Sequence, residues 1–340
     1  MQEKAGSFKV VVVGASAGGV EALSELVRVL PADLDAAVFV VLHVPAHSDS
    51  QLHKVLQTST ALRVMRAQDG APIEAGTVYV ASADRHLVVQ PDIVRITRGP
   101  KECRVRPAID VLFRSAAVAY GPRVVGVVLT GTLDDGTAGL WSVVDQGGVA
   151  LVQDPAEAQY DSMPLSAIEH VAVDLVAPIH GLGRHIVELC SRPAPPAGGE
   201  GHRERYRIEN RIADTGNGLS AGVMNLGKVS KYTCPDCHGV LVQIEEGSVV
   251  RFRCHTGHAF SLKSLIAEVN DAVDSGLWDT LRAVEERVML MRQVAELAAA
   301  AGDTAEATRC TAQADEAEAK LQPLRALVLD SEFFGHSPQG

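Results

Sequence analysis

Long apolar runs are missing from this 340-residue chain: 46% of it is hydrophobic, yet no stretch approaches the roughly 18 residues that a membrane span needs. Its first ten residues, MQEKAGSFKV, lack the basic start, apolar stretch and cleavage site of a secretory signal. Both absences predict a soluble, cytoplasmic protein without membrane insertion. Positive charge is in deficit, with 31 Lys and Arg against 42 Asp and Glu. That argues against nucleic-acid binding of the nonspecific kind, which needs clustered Lys and Arg. Cysteine is scarce and uneven. Cys103, Cys190 and Cys310 stand alone and read as inert core thiols, whereas Cys234, Cys237 and Cys254 fall within 21 residues and read as metal chemistry. What is present is length enough for two domains and a full-sized core.

The chain is organised around Phe8 to Val20, FKVVVVGASAGGV. The β-branched run Val10 to Val13 stops at Gly14-Ala15-Ser16-Ala17-Gly18-Gly19, and Leu23, Leu26, Val27 and Leu30 follow at helical spacing. A buried parallel strand, a tight turn and a helix fit this pattern. The turn puts the Ser16 hydroxyl at a strand's C-terminal end, near unpaired helix N–H groups that favour negative charge. Three readings fit. One is the strand-to-helix nucleophile turn of G-x-S-x-G hydrolases. A second is a dinucleotide loop, which wants an acid at the end of the second strand; here Ala37 to Leu42 is followed by His43. The third is a plain strand–helix turn with a capping serine.

Strands then alternate with helices to about residue 190. Ser50 to Gln57 reads as a helix. Val78 to Ala81, His86 to Gln90 and Ile93 to Thr97 read as an antiparallel insertion. Pro107 reads as the first-turn proline of a helix carrying Val111, Leu112, Ala116 and Val118. Val124 to Leu129 is a buried strand, with a helix behind it over Gly136 to Gln146. The alternation predicts an α/β fold, a doubly wound, mostly parallel sheet in three layers, whose ligands gather at the strands' carboxyl ends. Ser16 follows the first strand, His43 the second, and Asp135 lies in Thr130 to Gly136 after the strand ending at Leu129. If those strands are neighbours, a hydroxyl, an imidazole and a carboxylate converge as nucleophile, base and orienter.

On these residues the first 190 positions resemble the catalytic domain of the chemotaxis-receptor methylesterases, CheB. The resemblance is carried by Gly14-Ala15-Ser16-Ala17-Gly18-Gly19, His43-Val44-Pro45, Arg106-Pro107-Ala108-Ile109-Asp110-Val111-Leu112-Phe113, Leu129-Thr130-Gly131 leading to Asp135-Gly136, and Met163-Pro164. It implies a catalytic Ser16, His43 and Asp135, and no cofactor for catalysis. It also implies hydrolysis of glutamate methyl esters on methyl-accepting chemoreceptors, and deamidation of certain glutamines there. Ala17, Leu42 and Thr132-Leu133-Asp134 depart from the family's usual threonine, glutamine and Met-Gly-Asn. The sequence shows no receiver domain ahead of its first strand, so control by one in cis is not expected.

Residues 191–230 read as a linker, rich in Pro and Gly over Ser191 to Gly201 and polar without a firm assignment beyond. Residues 231–260 read as a zinc-ribbon-like unit. Cys234 and Cys237 form a C-x2-C pair outside any thioredoxin-like context. A hairpin of Leu241 to Ile244 and Val249 to Phe252 returns the chain to Cys254, with His255 next and His258 four residues on. Cys234, Cys237, Cys254 and His258 suit a tetrahedral structural zinc, which would supply folding energy to a segment with little core. Methylesterase relatives without a receiver resemble the chain here too. Residues 261–334 read as an antiparallel helical hairpin. Leu277, Leu281, Val284, Val288, Met291, Ala295 and Ala298 form one seam. After Gly302-Asp303, Cys310, Ala314, Ala317, Leu321, Leu324 and Val328 form the other. A kink is expected near Pro323 and disorder over Gly335 to Gly340. Each seam burying the other is the simplest reading. Uncovered apolar surface leaves room for a partner helix, including a homo-oligomer through these helices.

The reading is a serine esterase of protein glutamate methyl esters with a zinc-ribbon and helical appendage. Its rival is a regulatory docking module with a methylesterase-like fold that has lost turnover. Set off by the linker, the appendage is expected to govern substrate affinity or oligomeric state and not the chemistry. Truncation after Cys190 should then spare small-ester hydrolysis.

Overall fold

The computed structural model describes residues 8–193 and 202–330. Most of the Pro- and Gly-rich stretch before residue 202, and Gly335 to Gly340, lie outside the described residues. The chain divides into two compact units, residues 1–265 and 266–340.

The first unit opens with β1 (Lys9–Ala15), α1 (Gly19–Val29), β2 (Ala36–Leu42), α2 (Leu52–Gln57), β3 (Arg63–Arg66) and β4 (Thr77–Val80). The hairpin β5 (His86–Gln90) and β6 (Ile93–Thr97) follows, then α3 (Ile109–Tyr120), β7 (Val124–Val128), α4 (Thr137–Asp145), β8 (Val149–Gln153), α5 (Ser162–His170), β9 (Leu175–Ala177) and α6 (Ile179–Ser191). Seven strands make one sheet in the order β3-β4-β2-β1-β7-β8-β9, with every neighbouring pair parallel. β1 and β2 are buried along their whole length, as strands covered on both faces must be. Their side chains alternate between two cores. Val10 and Val12 pack with Ile109, Leu112 and Leu140, whereas Val11 and Val13 pack with Leu23, Leu26, Leu182 and Ile186. Helices therefore cover both faces, giving three layers.

Two local expectations are corrected. β4 joins the parallel sheet beside β2, and only β5 and β6 form the antiparallel insertion; all four residues of β4 are buried, which suits a strand inside the sheet. Pro107 lies ahead of α3, which begins at Ile109, and is joined to Arg106 by a cis peptide bond.

The larger correction concerns residues 191–230. This supposed linker contains α7 (Arg203–Thr215) and the short α8 (Gly218–Ala221). α7 buries Tyr206, Ile208, Glu209, Ile212 and Ala213. Ile208 and Ile212 share a core with Val223, Leu226 and Ile244, while Ala213 packs with Val88, Ala108 and Val111. Thr97 Oγ1 donates to the Ala213 carbonyl at 2.7 Å. Next comes a four-stranded antiparallel sheet of β10 (Lys228–Thr233), β11 (Val240–Glu246), β12 (Val249–Cys254) and β13 (Ala259–Ser261). It lies in the same compact unit as the parallel sheet. The Ala259 N–H donates to the Lys101 carbonyl at 3.1 Å and the Cys103 N–H to the Ala259 carbonyl at 2.8 Å. The described part of the segment is packed structure and not a spacer.

α9 (Leu262–Ala300) and α10 (Thr304–Val328) complete the chain. In the second unit Leu281, Val288, Ala314, Leu321 and Val328 form the core, flanked by Leu277, Val284, Met291, Ala317 and Leu324. These are seam positions read from the spacing. Arg292 pairs with Glu318 and Arg325 with Glu285, an order that makes the helices antiparallel. Asp303 caps α10 by accepting the Glu306 N–H at 3.0 Å, and α10 continues through Pro323. Among the described residues, no helix is long and apolar enough to cross a membrane.

Candidate active site

β1 sits between β2 and β7, with Ala15 opposite Leu42 and Gly14 opposite Val128. Ser16 and His43 are therefore the first residues past two paired strand ends. The His43 N–H donates to the Ala15 carbonyl at 3.2 Å, and the Ser16 N–H to the Thr130 carbonyl at 3.0 Å. Gly131, after β7, lies against Ser16: a Cβ there would come within 2.8 Å of Ser16 Cβ and 2.1 Å of Met163 Sδ. The Met163-Pro164 segment closes this side, since the Met163 N–H donates to the Gly131 carbonyl at 3.0 Å. Gly18, at φ 72°, makes the left-handed step from β1 into α1.

His43 Nε2 is 2.8 Å from Asp135 Oδ2, and the two side chains are 13% and 3% exposed. The Ile109 N–H donates to the same oxygen at 2.7 Å and the Asp110 N–H to Oδ1 at 3.1 Å. Asp135 thus caps α3 from a distance in sequence, engaging N–H groups that a helix start leaves without partners. With Nε2 turned to Asp135, Nδ1 is the ring nitrogen left to act as a base. The structure brings Ser16, His43 and Asp135 to the carboxyl ends of three adjacent strands. A hydroxyl, an oriented imidazole and a buried carboxylate in this order can move a proton off the hydroxyl at neutral pH.

Two further carboxylates beside Asp135 escape the sequence reading. Asp110 Oδ1 accepts the N–H groups of Gly136 and Gly139 at 3.0 and 2.6 Å, locking the start of α4 to α3. Burial, and next the Asp135 charge, push the Asp110 carboxyl up to about 8, while Arg251 pulls it the other way. Asp134 accepts the Ser261 hydroxyl of β13 at 2.7 Å. Burial pushes the Asp134 carboxyl up as well. Asp110 sits within a recognisable motif, but nothing local marks Ser261, which meets Asp134 across 127 residues.

A buried ion cluster joins the two sheets. Arg114 meets Glu102 at 2.9 Å, and Arg253 meets Glu102 and Glu209 at 2.8 Å each. Arg251 meets Glu209 at 2.7 Å and Glu246 at 2.6 Å. All six side chains are at most 5% exposed, and three guanidiniums balance three carboxylates. Arg114 lies on α3, Glu209 on α7, and Arg251 and Arg253 on β12, so the Arg253–Glu102 and Arg114–Glu209 pairs cross between the parallel sheet's side and the smaller sheet's side.

Cys234, Cys237, Cys254 and His258 form a second constellation, with one ligand atom of each within 4.8 Å of all the others. Cys237 Sγ and Cys254 Sγ are 3.6 Å apart, and His258 Nδ1 is 3.7 Å from Cys234 Sγ and 3.6 Å from Cys254 Sγ. Those edges suit a tetrahedral ion, because bonds of about 2.3 Å give edges of roughly 3.7 Å. Hydrogen bonds from Cys234 and then His258, working against burial, drive the Cys254 thiol down, while Cys234 is driven up. His255 takes another direction, its ring lying over Gly239, where a Cβ would meet it at 2.1 Å. Among the described residues, the histidine grouped with the three thiols is His258.

A family model described as CheB methylesterase matches residues 11–186. A protein-glutamate methylesterase/protein-glutamine glutaminase of Methanosarcina mazei is 36% identical over 197 residues, which cover 56% of this chain and 54% of that protein. One of Anaeromyxobacter dehalogenans is 39% identical over 186 residues, 55% of this chain and 54% of that protein. A putative one of Leptospira interrogans is 34% identical over 184 residues, 54% of this chain and 95% of that protein. Among solved structures, the catalytic domain of Thermotoga maritima CheB methylesterase matches with a TM-score of 0.52 and 34% identity, over 54% of this chain and 99% of that one. The chain spans about half the length of the Methanosarcina and Anaeromyxobacter relatives.

Proposed function

The chain belongs to the CheB methylesterase family, and from that premise we propose a serine esterase that hydrolyses glutamate methyl esters on chemoreceptor-type signalling proteins, with glutamine deamidation as the companion reaction. Ser16 Oγ attacks the ester carbonyl carbon while its proton passes to His43 Nδ1. The ester C–O bond then breaks and methanol leaves with that proton. A water deprotonated by the same nitrogen cleaves the acyl-serine, releasing the free carboxylate and restoring Ser16. Asp135 accepts the Nε2–H, fixing the tautomer and stabilising the imidazolium. The Gly19 N–H donates to the Ser16 carbonyl at 2.9 Å, which narrows the oxyanion donors to the N–H groups of Ala17 and Gly18. The observation that carries this reading is the 2.8 Å contact of His43 with Asp135, made beside the strand that leads into Ser16.

Cys234, Cys237, Cys254 and His258 would hold a structural zinc, which cross-links the ends of a small sheet and takes no part in ester cleavage; the sulfur-rich donor set and its spacing support this. The receptor as partner and the cytoplasm as location belong to the same reading. Exposed Leu290, Val294 and Leu297 on α9 support a further helix as a contact for the hairpin, whether from a receptor or from a second copy of the chain. Methanol release from a methylated receptor fragment tests the whole. Wild type should release methanol, and Ser16→Ala and His43→Ala should each lose at least ~100-fold while remaining folded. Wild-type rates in Ser16→Ala would refute the assignment, and no release by wild type would favour the docking module.

A further inference from the structure

The loop carrying Asp135 is held from two directions. On one side Asp135 and Asp110 engage the N–H groups of Ile109, Asp110, Gly136 and Gly139. On the other side stands the turn Thr132-Leu133-Asp134, where Leu133 has φ 62°, a left-handed conformation that side chains other than glycine rarely keep without outside support. The hydrogen bond to the Asp134 side chain comes from Ser261 Oγ at 2.7 Å, and the positive charge facing it comes from Lys263. Both residues belong to the small sheet and the start of α9, far from Asp134 in the sequence.

Ser261 is itself firmly placed. It pairs with Arg251 across β12 and β13, two residues beyond the anchoring of Ala259 to Lys101 and Cys103. Its N–H donates to Ser264 Oγ at 2.9 Å, and its Oγ accepts the Ser264 N–H at 3.0 Å. The Ser261 hydroxyl therefore has two separable jobs: a reciprocal cap at the start of α9 and a bond across to Asp134.

We propose that Ser261 is a positioning residue for the esterase, acting through Asp134 to hold Asp135 in register with His43. The inference rests on the esterase reading above. Small misplacements of an orienting group cost rate far beyond the energy of the contact that held it. The metal-binding sheet thereby reaches the reaction without touching substrate: His258 and Ser261 lie three residues apart on one short segment.

The test compares Ser261→Ala, Ser261→Thr, Ser264→Ala and Asp134→Ala in the full chain, using a small soluble carboxyl methyl ester. A second readout is the downfield proton resonance of His43 Nε2–H, identified by its loss in His43→Ala. Ser261→Ala should lower kcat ~10-fold or more with KM within ~2-fold, and should broaden the His43 resonance. Ser261→Thr should restore both, and Ser264→Ala, which weakens only the cap, should stay within ~2-fold of wild type. Asp134→Ala should match Ser261→Ala, and the double variant should lose no more than either alone. Wild-type kcat and a sharp resonance in Ser261→Ala overturn the proposal, as do equal losses in Ser264→Ala or additive losses in the double variant. Wild type lacking turnover that depends on Ser16 would sink the esterase reading instead, and the resonance would still decide the role of Ser261.

Discussion

Replacing Glu209 by Gln keeps the size of the side chain and removes one charge from the centre of the buried cluster. Glu209 is fully buried and faces Arg251 at 2.7 Å, Arg253 at 2.8 Å and Arg114 at 3.7 Å. Without its charge, three guanidiniums remain with only Glu102 and Glu246. Removing one partner of a buried pair costs about 3–5 kcal/mol, and three cations sharing this carboxylate favour the upper half, about 4–5 kcal/mol. A folded unit of this size shifts its melting temperature by about 2–4 °C per kcal/mol, so Glu209→Gln should lower Tm by roughly 8–20 °C. Circular dichroism melting of the full chain at pH 7 measures it, and a fall of under ~3 °C would refute the reasoning. The effect has a pH signature. Burial alone would raise the Glu209 carboxyl, but Arg114, Arg251 and Arg253 reverse that and hold it well below the usual range. A depressed carboxyl contributes its stability above its unfolded pKa, about 4.3, and the contribution is lost as pH falls toward the folded value. Wild type should therefore lose Tm more steeply than Glu209→Gln on acidification below about pH 4.3.

Purified protein should carry about one zinc per chain, reduced to a trace in Cys254→Ser; full occupancy of that variant would remove the site. Stripping the metal by chelation should lower Tm and small-ester turnover together, because Arg251, Arg253 and Ser261 lie on the strands that Cys254 and His258 close, and unchanged turnover would show the two sheets to be independent. Truncation after Cys190, which the sequence alone expects to spare small-ester hydrolysis, should yield a fragment without cooperative melting, since Arg114 and Glu102 lose Arg253 and Glu209 while Val88 and Val111 lose Ala213; a soluble, cooperatively melting fragment with wild-type small-ester turnover would refute this.

The parallel sheet was legible because its signals are local. Val10 to Val13 announce a strand buried on both faces, and the glycines after it leave one hydroxyl at the turn. Ser16, His43 and Asp135 could be found because each follows a readable strand, and the order of strands then decides whether they meet. The grouping of Cys234, Cys237, Cys254 and His258 is legible for the same reason, being short pairs joined by a hairpin. The hairpin helices carry apolar residues at regular spacing and need no distant partner to be recognised.

α7 was missed for the opposite reason. A helix that docks through Ile208, Ile212 and Ala213 should show an apolar stripe, but the stripe is broken at Glu209, which is as fully buried as Ile212. A buried glutamate and a solvated one look the same in sequence. What separates them here is Arg114 on α3 and Arg251 and Arg253 on β12, charges that are themselves out of place in elements that bury most of their residues. Each reads as an anomaly alone, and together they neutralise one another. The same holds for Asp134, which looks like a departure from a familiar loop until Ser261 supplies its hydroxyl. The polar positions that local reading leaves unexplained are thus the ones that join the small antiparallel sheet to the parallel sheet. Charge reversal is the direct test of that logic, for a cluster that acts only as a counter-charge lattice should tolerate exchanged partners better than a single lost one. Glu102→Arg with Arg114→Glu in one chain should therefore melt above either single change, and a double variant no better than the singles would mean that the geometry of each guanidinium, and not the balance of charge, holds the sheets together.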